Sequence, residues 1–465
     1  MKAPKDLQAL TTTAVKYTPE GVRWIALLSL LTAVFLGSLD QSVANTALPA
    51  IGAAMQRTPA ESVWVVHAYQ LAVVAVLLPL AALGDRWGAR KVFLLGMLLF
   101  NLAALGSACA TSLEWLAFFR AIQGVGAAGV MSVNLALIQR IFPPEKLGRG
   151  AGMNALIVGL GFSLGPTVAS VLLAFLPWPW LFGLQAPLGL MGLLFARRYL
   201  PRTEAAKTDA PYDRVLALLS AVCFASLVFT LSAIAQQQGV VVVVGSLVLM
   251  LGSGFCLLRR QRGHAAPVLP VDLMRRPLFS LSVFTSFSSF TTQGLAFVAL
   301  PFFFQQQLGR PPLETGVLMS VWALVVAVMA PVAGTLSDRY PPAILGGVGL
   351  SILSLGMAGL GIMGVMGAEV SFGLMALCMA LCGMGFGLFQ SPNLRAIMTS
   401  APAHRTSGAS GMVALARLIG QASGAALVAL CFNLFGPLGA GRAIMLGAVT
   451  AGLGAALSLA RLRAR

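Results

Sequence analysis

Asp40 and Arg120 are the residues of this sequence best placed to do chemistry. Asp40 follows an apolar run, Trp24 to Ser38, that contains no charge. It is the one carboxylate that falls deep inside a hydrophobic stretch. An acid at bilayer depth costs roughly 2.5–3.5 kcal/mol on insertion scales, so such residues are kept for function. In hydrocarbon a carboxyl is cheapest when it carries its proton, which suits it to taking a proton on one side and losing it on the other. If its helix starts near Glu114, Arg120 lies about 9 Å from that end at 1.5 Å per residue. Asp40, about 24 Å from the opposite end of its own helix, reaches a comparable depth. The two groups could meet directly or through water; an Arg capped by backbone carbonyls is the other reading. Nothing else resembles a reaction centre. No catalytic constellation shares a pocket, so an enzyme is not expected. There is no G-x-x-x-x-G-K-[ST] phosphate loop, so the expected energy source is a proton gradient, with no cofactor and no ATP.

The composition says what must hold these groups. Of 465 residues, 58% are hydrophobic and only 10% are charged, and the mean hydropathy is +0.87. That excludes an ordinary soluble domain and implies an integral membrane protein. A net charge of +17 would fit nucleic-acid binding if the bases formed a domain. They sit instead in short clusters between apolar runs, so no nucleic-acid partner is expected. The six Cys all lie in apolar segments and are expected as free thiols without metal.

A span needs about 20 apolar residues. Fourteen stretches qualify, from 24–52 through 62–83, 114–139 and 180–197 to 407–433 and 443–460. Basic clusters fall at alternate loops: Arg23 before span 1, Arg86, Arg90 and Lys91 after span 2, Arg140 and Lys146 after span 4, Arg197 and Arg198 after span 6, and Arg461, Arg463 and Arg465 at the end. The opposite loops carry only Arg57, Arg310 and Arg442. Both termini are therefore expected in the cytoplasm, and the first span, lacking a cleavable signal pattern, is expected to be retained.

The sequence repeats itself. Gly84-Asp85-Arg86-Trp87-Gly88 after span 2 corresponds to Ser337-Asp338-Arg339-Tyr340 after span 10, and Gly152, Gly161 and Gly165 recur as Gly411, Gly420 and Gly424 at a constant spacing of 259. Duplication explains this better than chance. The expected organisation is a tail over 1–23, a six-helix bundle over 24–200, linkers with two inserted helices over 201–277, and a second bundle over 278–465. With Asp40, the polar residues Asn45, His67, Tyr69, Gln123, Asn134, the Gln293–Gly294 step and Asn393 are the expected lining of a substrate cavity. His67 could relay protons or simply pack. Arg417 could be structural or part of the coupling.

Several segments carry a family resemblance. Ala81-Ala82-Leu83-Gly84-Asp85-Arg86-Trp87-Gly88-Ala89-Arg90-Lys91 resembles the loop between spans 2 and 3 of the major facilitator superfamily, with Ala81 at its usual leading Gly. Phe119-Arg120-Ala121-Ile122-Gln123-Gly124 resembles its span-4 motif. Gly161-Phe162-Ser163-Leu164-Gly165-Pro166 resembles the motif of its antiporters, although Ala169 and Ser170 stand where two glycines often follow. Trp178-Pro179-Trp180-Leu181-Phe182 with Gln185, Pro187 and Gly189 resembles the span 5–6 signature of the fourteen-span drug:proton antiporter family, Pro179 and Gln185 replacing its Arg and Asn. The Asp40–Pro49 stretch, Ser391-Pro392-Asn393, and Gly408 to Met412 with Arg417, Gly420 and Gln421 are similar to further motifs of that family.

The resemblance covers nearly the whole chain. It implies an all-α polytopic membrane protein of the major facilitator fold, with two pseudo-symmetric six-helix bundles plus two inserted helices. It implies a proton-coupled antiporter exporting hydrophobic, cationic drugs or biocides across the bacterial inner membrane, with Asp40 and Arg120 as the coupling pair. Asp85, Arg86, Gly88, Arg90, Gly161, Gly165, Pro166, Asp338, Arg339 and Arg417 would serve conformational change. A single acid that also carries protons neutralises one charge at a time, so monovalent cations are expected over rigid dications. Partners are expected to be a small-molecule substrate, protons and lipids, around a monomer that works with other envelope efflux components at most. Export of one endogenous metabolite or self-made antibiotic, and a non-transporting receptor on the same fold, are the alternatives.

Overall fold

The computed structural model describes residues 20–142, 147–201, 213–262, 271–366, 371–402 and 406–463. Every regular element among them is helical. A helix satisfies its own backbone hydrogen bonds, which lipid cannot do for it. The first bundle holds α1 Glu20–Ala54, α2 Trp64–Trp87, α3 Ala89–Ala108, α4 Leu113–Ile141, α5 Leu147–Phe175 and α6 Gln185–Tyr199. Two inserted helices follow, α7 Arg214–Ala235 and α8 Val240–Arg260. The second bundle holds α9 Pro277–Phe302, α10 Pro312–Arg339, α11 Pro342–Met366, α12 Phe372–Ser400, α13 Thr406–Phe435 and α14 Gly439–Ala460. Among the described residues thirteen apolar stretches are long enough to cross a bilayer, and the last, Gly411–Ala460, covers most of α13 and all of α14.

Caps and breaks set the boundaries. Ser112 and Ser371 each accept from the backbone N–H three residues on, at 3.3 Å, opening α4 and α12. They stand 259 positions apart, so the duplication extends to the caps. Gly436, at φ 54°, turns the chain between α13 and α14. Two expected spans differ in detail. The span expected at 62–83 is a short turn, Pro59–Ser62, followed by α2. The span expected at 180–197 is a turn, Trp180–Gly183, followed after Leu184 by α6.

The two bundles pack by one pattern. In the first, α1 lies on α5 and α6, α4 on α2 and α3, and α3 on α6; in the second, α9 lies on α13 and α14, α12 on α10 and α11, and α11 on α14. They meet through α1 with α9, α2 with α13, and α5 with α10, which is the exchange expected of a two-fold axis along the membrane normal. The repeated glycines make the close crossings. A Cβ on Gly161 would stand 2.7 Å from the Ser38 Cβ, and one on Gly420 would stand 2.8 Å from the Phe287 carbonyl oxygen. Such contacts let α5 ride on α1 and α13 on α9. Of the insert, α7 packs across the seam between α2 and α13, while α8 touches mainly α7 and presents Val240, Val241 and Phe255 outward.

At the end away from the termini both bundles share one apolar cluster, including Val43, Ile51, Val66, Leu300, Phe302, Trp322 and Phe432. The molecule is closed there. At the terminus-bearing end the bundles part.

Candidate functional site

Asp40 and Arg120 meet directly. Asp40 Oδ2 lies 2.6 Å from Arg120 Nη1, and the side chains are 0% and 1% exposed. The remaining bonds leave little unsatisfied. Arg120 Nε donates to the Val65 carbonyl at 3.2 Å, and Nη1 donates to Gln123 Oε1 at 2.8 Å. Gln123 Nε2 returns a bond to Asp40 Oδ1 at 3.0 Å. Gln185 Nε2 donates to the same oxygen at 3.3 Å and to the Leu181 carbonyl at 2.8 Å. The guanidinium lies 4.6 Å from the Tyr69 ring centroid and 5.4 Å from that of Phe182. Four helices therefore converge on one carboxylate: α1 carries it, α4 supplies Arg120 and Gln123, α6 supplies Gln185, and α2 supplies Tyr69. The Trp178–Phe182 segment, which turns the chain into α6, puts Phe182 and Gln185 in place. A buried pair of this kind holds only when its spare lone pairs and N–H groups are also bonded.

A cavity of about 680 Å³ lies between the bundles and opens at the terminus-bearing end. Its wall combines Val73, Leu77, Met97, Phe100, Met131 and Phe162 with the amides Gln41, Gln70, Asn134, Gln139, Asn154 and Gln421. Asn134 donates to Asn154 Oδ1 at 2.7 Å. At the deep end, Gln421 bridges the halves: it accepts from Gln41 at 3.5 Å and donates to Gln293 at 2.8 Å. Asn45, Gln293 and Gly294 line a small recess there.

Several expectations about this lining need correction. Tyr69 and Asn134 line the cavity, but Asp40, Gln123, His67 and Asn393 do not. Asp40 and Gln123 are secluded because the Tyr69 ring stands between Arg120 and the cavity. His67 is fully buried near the closed end, beside Trp64 and facing the Ala425 backbone of α13. Asn393 lies in a separate buried group, where it donates to Ser286 Oγ at 2.7 Å and accepts from Arg461 Nη1 at 2.7 Å. Arg461, expected as a solvated terminal base, is itself buried, since Ser282 and Ser458 also accept from it.

The acids at span ends stay out of the cavity. Arg57 bridges Glu61 and Glu114, at 3.6 and 2.7 Å, and Arg310 pairs with Glu314 at 3.6 Å. Of the conformational residues, Gly88 takes φ 92°, a left-handed value that its turn between α2 and α3 requires. Arg90 donates to the Arg197 carbonyl at the end of α6. Arg86 and Arg339 are exposed. The Asp85 side chain lies outside the described residues; its counterpart Asp338 pairs with Arg395 of α12, which also donates to Ser337.

Sequence reasoning missed Gln185, Phe182 and Arg395 as partners. Gln185 was visible only as a departure from a family motif. Arg395, three residues after Pro392, had no signal beyond its charge near a span end.

The architecture and the buried pair define the class, and comparison with known proteins agrees. Residues 30–425 match the family model described as Major Facilitator Superfamily. The chain belongs to that superfamily. It is 44% identical to the uncharacterised transporter YebQ of Escherichia coli, over 94% of this chain and 95% of that one. It is 25% identical to the riboflavin transporter RibZ of Clostridioides difficile, over 88% of each chain. It is 27% identical to the multidrug efflux pump LfrA of Mycolicibacterium smegmatis, over 91% of this chain and 84% of that one. Among solved structures, a POT family transporter in complex with a thioalcohol-conjugated peptide superposes with a TM-score of 0.71 at 16% identity, over 96% of each chain. A bacterial homologue of the lysosomal transporter Spinster, solved inward-facing, superposes with 0.68 at 17%, over 96% of this chain and 98% of that one. Both support the fold.

Proposed function

We propose that this transporter is a proton-coupled antiporter that exports hydrophobic compounds across the bacterial cytoplasmic membrane. The observation that carries the reading is the Asp40–Arg120 pair, fully buried yet one side chain removed from a cavity large enough for a drug-sized ligand. By the positive-inside rule the end bearing Arg23, Arg86, Arg90, Arg140 and Arg197 is cytoplasmic, so the cavity faces inward here. In the cycle, Asp40 takes a proton from outside when the halves rock outward and releases it once Arg120 re-forms the pair facing in. The functional unit is a single chain, which needs no cofactor for this work.

A drug-susceptibility panel in a pump-deficient host, with and without a protonophore, tests it. Expected are raised tolerance to several hydrophobic compounds and loss of that tolerance with the protonophore. Tolerance that survives the protonophore would overturn proton coupling.

The six amides in the wall favour a second reading, export of one polar endogenous metabolite. The relative named as a riboflavin transporter supports it. A growth defect of the deletion strain without any drug would separate the two.

A further inference from the structure

The cavity wall carries one charge, and it is positive. Among the described residues Arg417 is the only one in the lining that carries a charge at neutral pH. Among the described residues no carboxylate lies within ion-pairing distance of Arg417 and none shares a hydrogen bond with it; its electrostatic neighbour is Tyr69. The Asp40 carboxylate does not compensate it, because Asp40 is already neutralised by Arg120 at 2.6 Å. The three groups around Tyr69 thus sum to one unmatched cation facing a mostly apolar space. A charge in such a place costs several kcal/mol unless a counter-charge or retained water relieves it.

We infer that the cavity is built for an organic anion: an amphiphile with an apolar, partly aromatic body and a single carboxylate that pairs with Arg417. The inference rests on the transport reading and names its substrate class. A guanidinium presents a planar fork of donors that matches a carboxylate, and among the described residues no group occupies that of Arg417. Gln421 lies one helical turn beyond Arg417 on the same face of α13, so the anion would sit below the amide bridge between the halves. The body would lie against Val73, Leu77, Phe100 and Phe162. A lipophilic cation meets the reverse of this pattern. Among the described residues it would meet no acid and one repelling base, so this lining favours an anion over the cationic substrates expected from the family resemblance.

The test is equilibrium binding to the full chain in nanodiscs, with empty nanodiscs as the background, using three probes of one shape: pyrenebutyrate, pyrenebutyramide and pyrenebutyl-trimethylammonium. The expected order is carboxylate tightest, with saturable binding about tenfold tighter than the amide, a difference of about 1.4 kcal/mol. Arg417→Gln should bring the carboxylate within about threefold of the amide, and Arg417→Lys should keep most of the preference. Either tightest binding of the ammonium probe to the wild-type chain or an unchanged carboxylate preference in Arg417→Gln would overturn the inference. The first comparison needs no variant, so a poorly folded Arg417→Gln leaves the idea testable. The export reading fails separately: carboxylate binding would persist while no pH gradient moves the probe in proteoliposomes.

Discussion

Asp40 Oδ1 accepts from both Gln123 and Gln185, at 3.0 and 3.3 Å, while Oδ2 is given to Arg120 at 2.6 Å. The carboxylate is thereby held by a helix on either side of α1. In the proposed cycle a proton on Asp40 would loosen contacts to α4 and α6 together, which is how a local event would reach the packing of a bundle.

Asp40→Asn should end proton-driven transport, since an amide cannot titrate. The structure adds that it should also destabilise the protein, because Arg120 is left as an uncompensated buried cation; breaking such a pair costs about 3–5 kcal/mol. Melting in detergent should show a lower midpoint for Asp40→Asn and partial recovery in Asp40→Asn/Arg120→Gln. Wild-type transport against a pH gradient by the single variant would refute a coupling role for Asp40.

Arg120→Gln should move the pH optimum of transport upward. Without the guanidinium the buried carboxylate loses the cation that pairs with its charged form. Initial rates measured across pH in proteoliposomes decide it. An unchanged profile would mean that the two groups, though bonded, do not communicate.

Gln185→Leu should lower transport by roughly tenfold, since one lost bond to a buried carboxylate costs about 1–3 kcal/mol. Gln185→Asn, the residue at this position in the family motif, should retain more activity than Leu. Equal loss in the two variants would point to packing at the start of α6 rather than to the bond with Asp40.

Arg395→Ala should slow transport with little effect on stability. Its pair with Asp338 is exposed, and pairs of that kind contribute about 0–1 kcal/mol. The exchange Asp338→Arg/Arg395→Asp should restore the rate if the contact between α10 and α12 matters in one conformation. A swap no better than either single change would mean that the Asp338–Arg395 contact plays no part in transport.

The Arg260 guanidinium and the Leu216 backbone N–H hold the Asp213 carboxyl below the usual carboxylate range. A lowered pKa stabilises the fold above the unfolded value, near 3.9, and that contribution is lost as pH falls through the folded value. Asp213→Asn should therefore lower the melting midpoint at pH 7 and approach the parent as the pH falls through the folded value of Asp213. A pH-independent difference would show that capping of α7, not charge, is what Asp213 supplies.

Asp40, Arg120 and the paired glycines of α5 and α13 were legible in the chain because a bilayer forbids what they are. A charge among apolar residues stands out without any knowledge of neighbours, and so do glycines repeated at a fixed spacing. The helix count, the duplication and the shared side of the two ends follow from the same one-dimensional contrast. Which way each helix faces does not. Lipid and the protein core are both apolar, so α1 gives no sign in its sequence that Gln41 looks into the cavity while Asp40 looks away from it. That rotation seats Asp40 against Arg120 and Gln185, puts Tyr69 between the pair and the cavity, and leaves Arg417 as the charge a ligand would meet. It also buries Arg461 on Asn393, two residues whose sequence contexts suggested solvent and cavity. The identity of the charged groups is local chemistry, whereas their pairing depends on four helices crossing at one depth, and only the folded chain decides that.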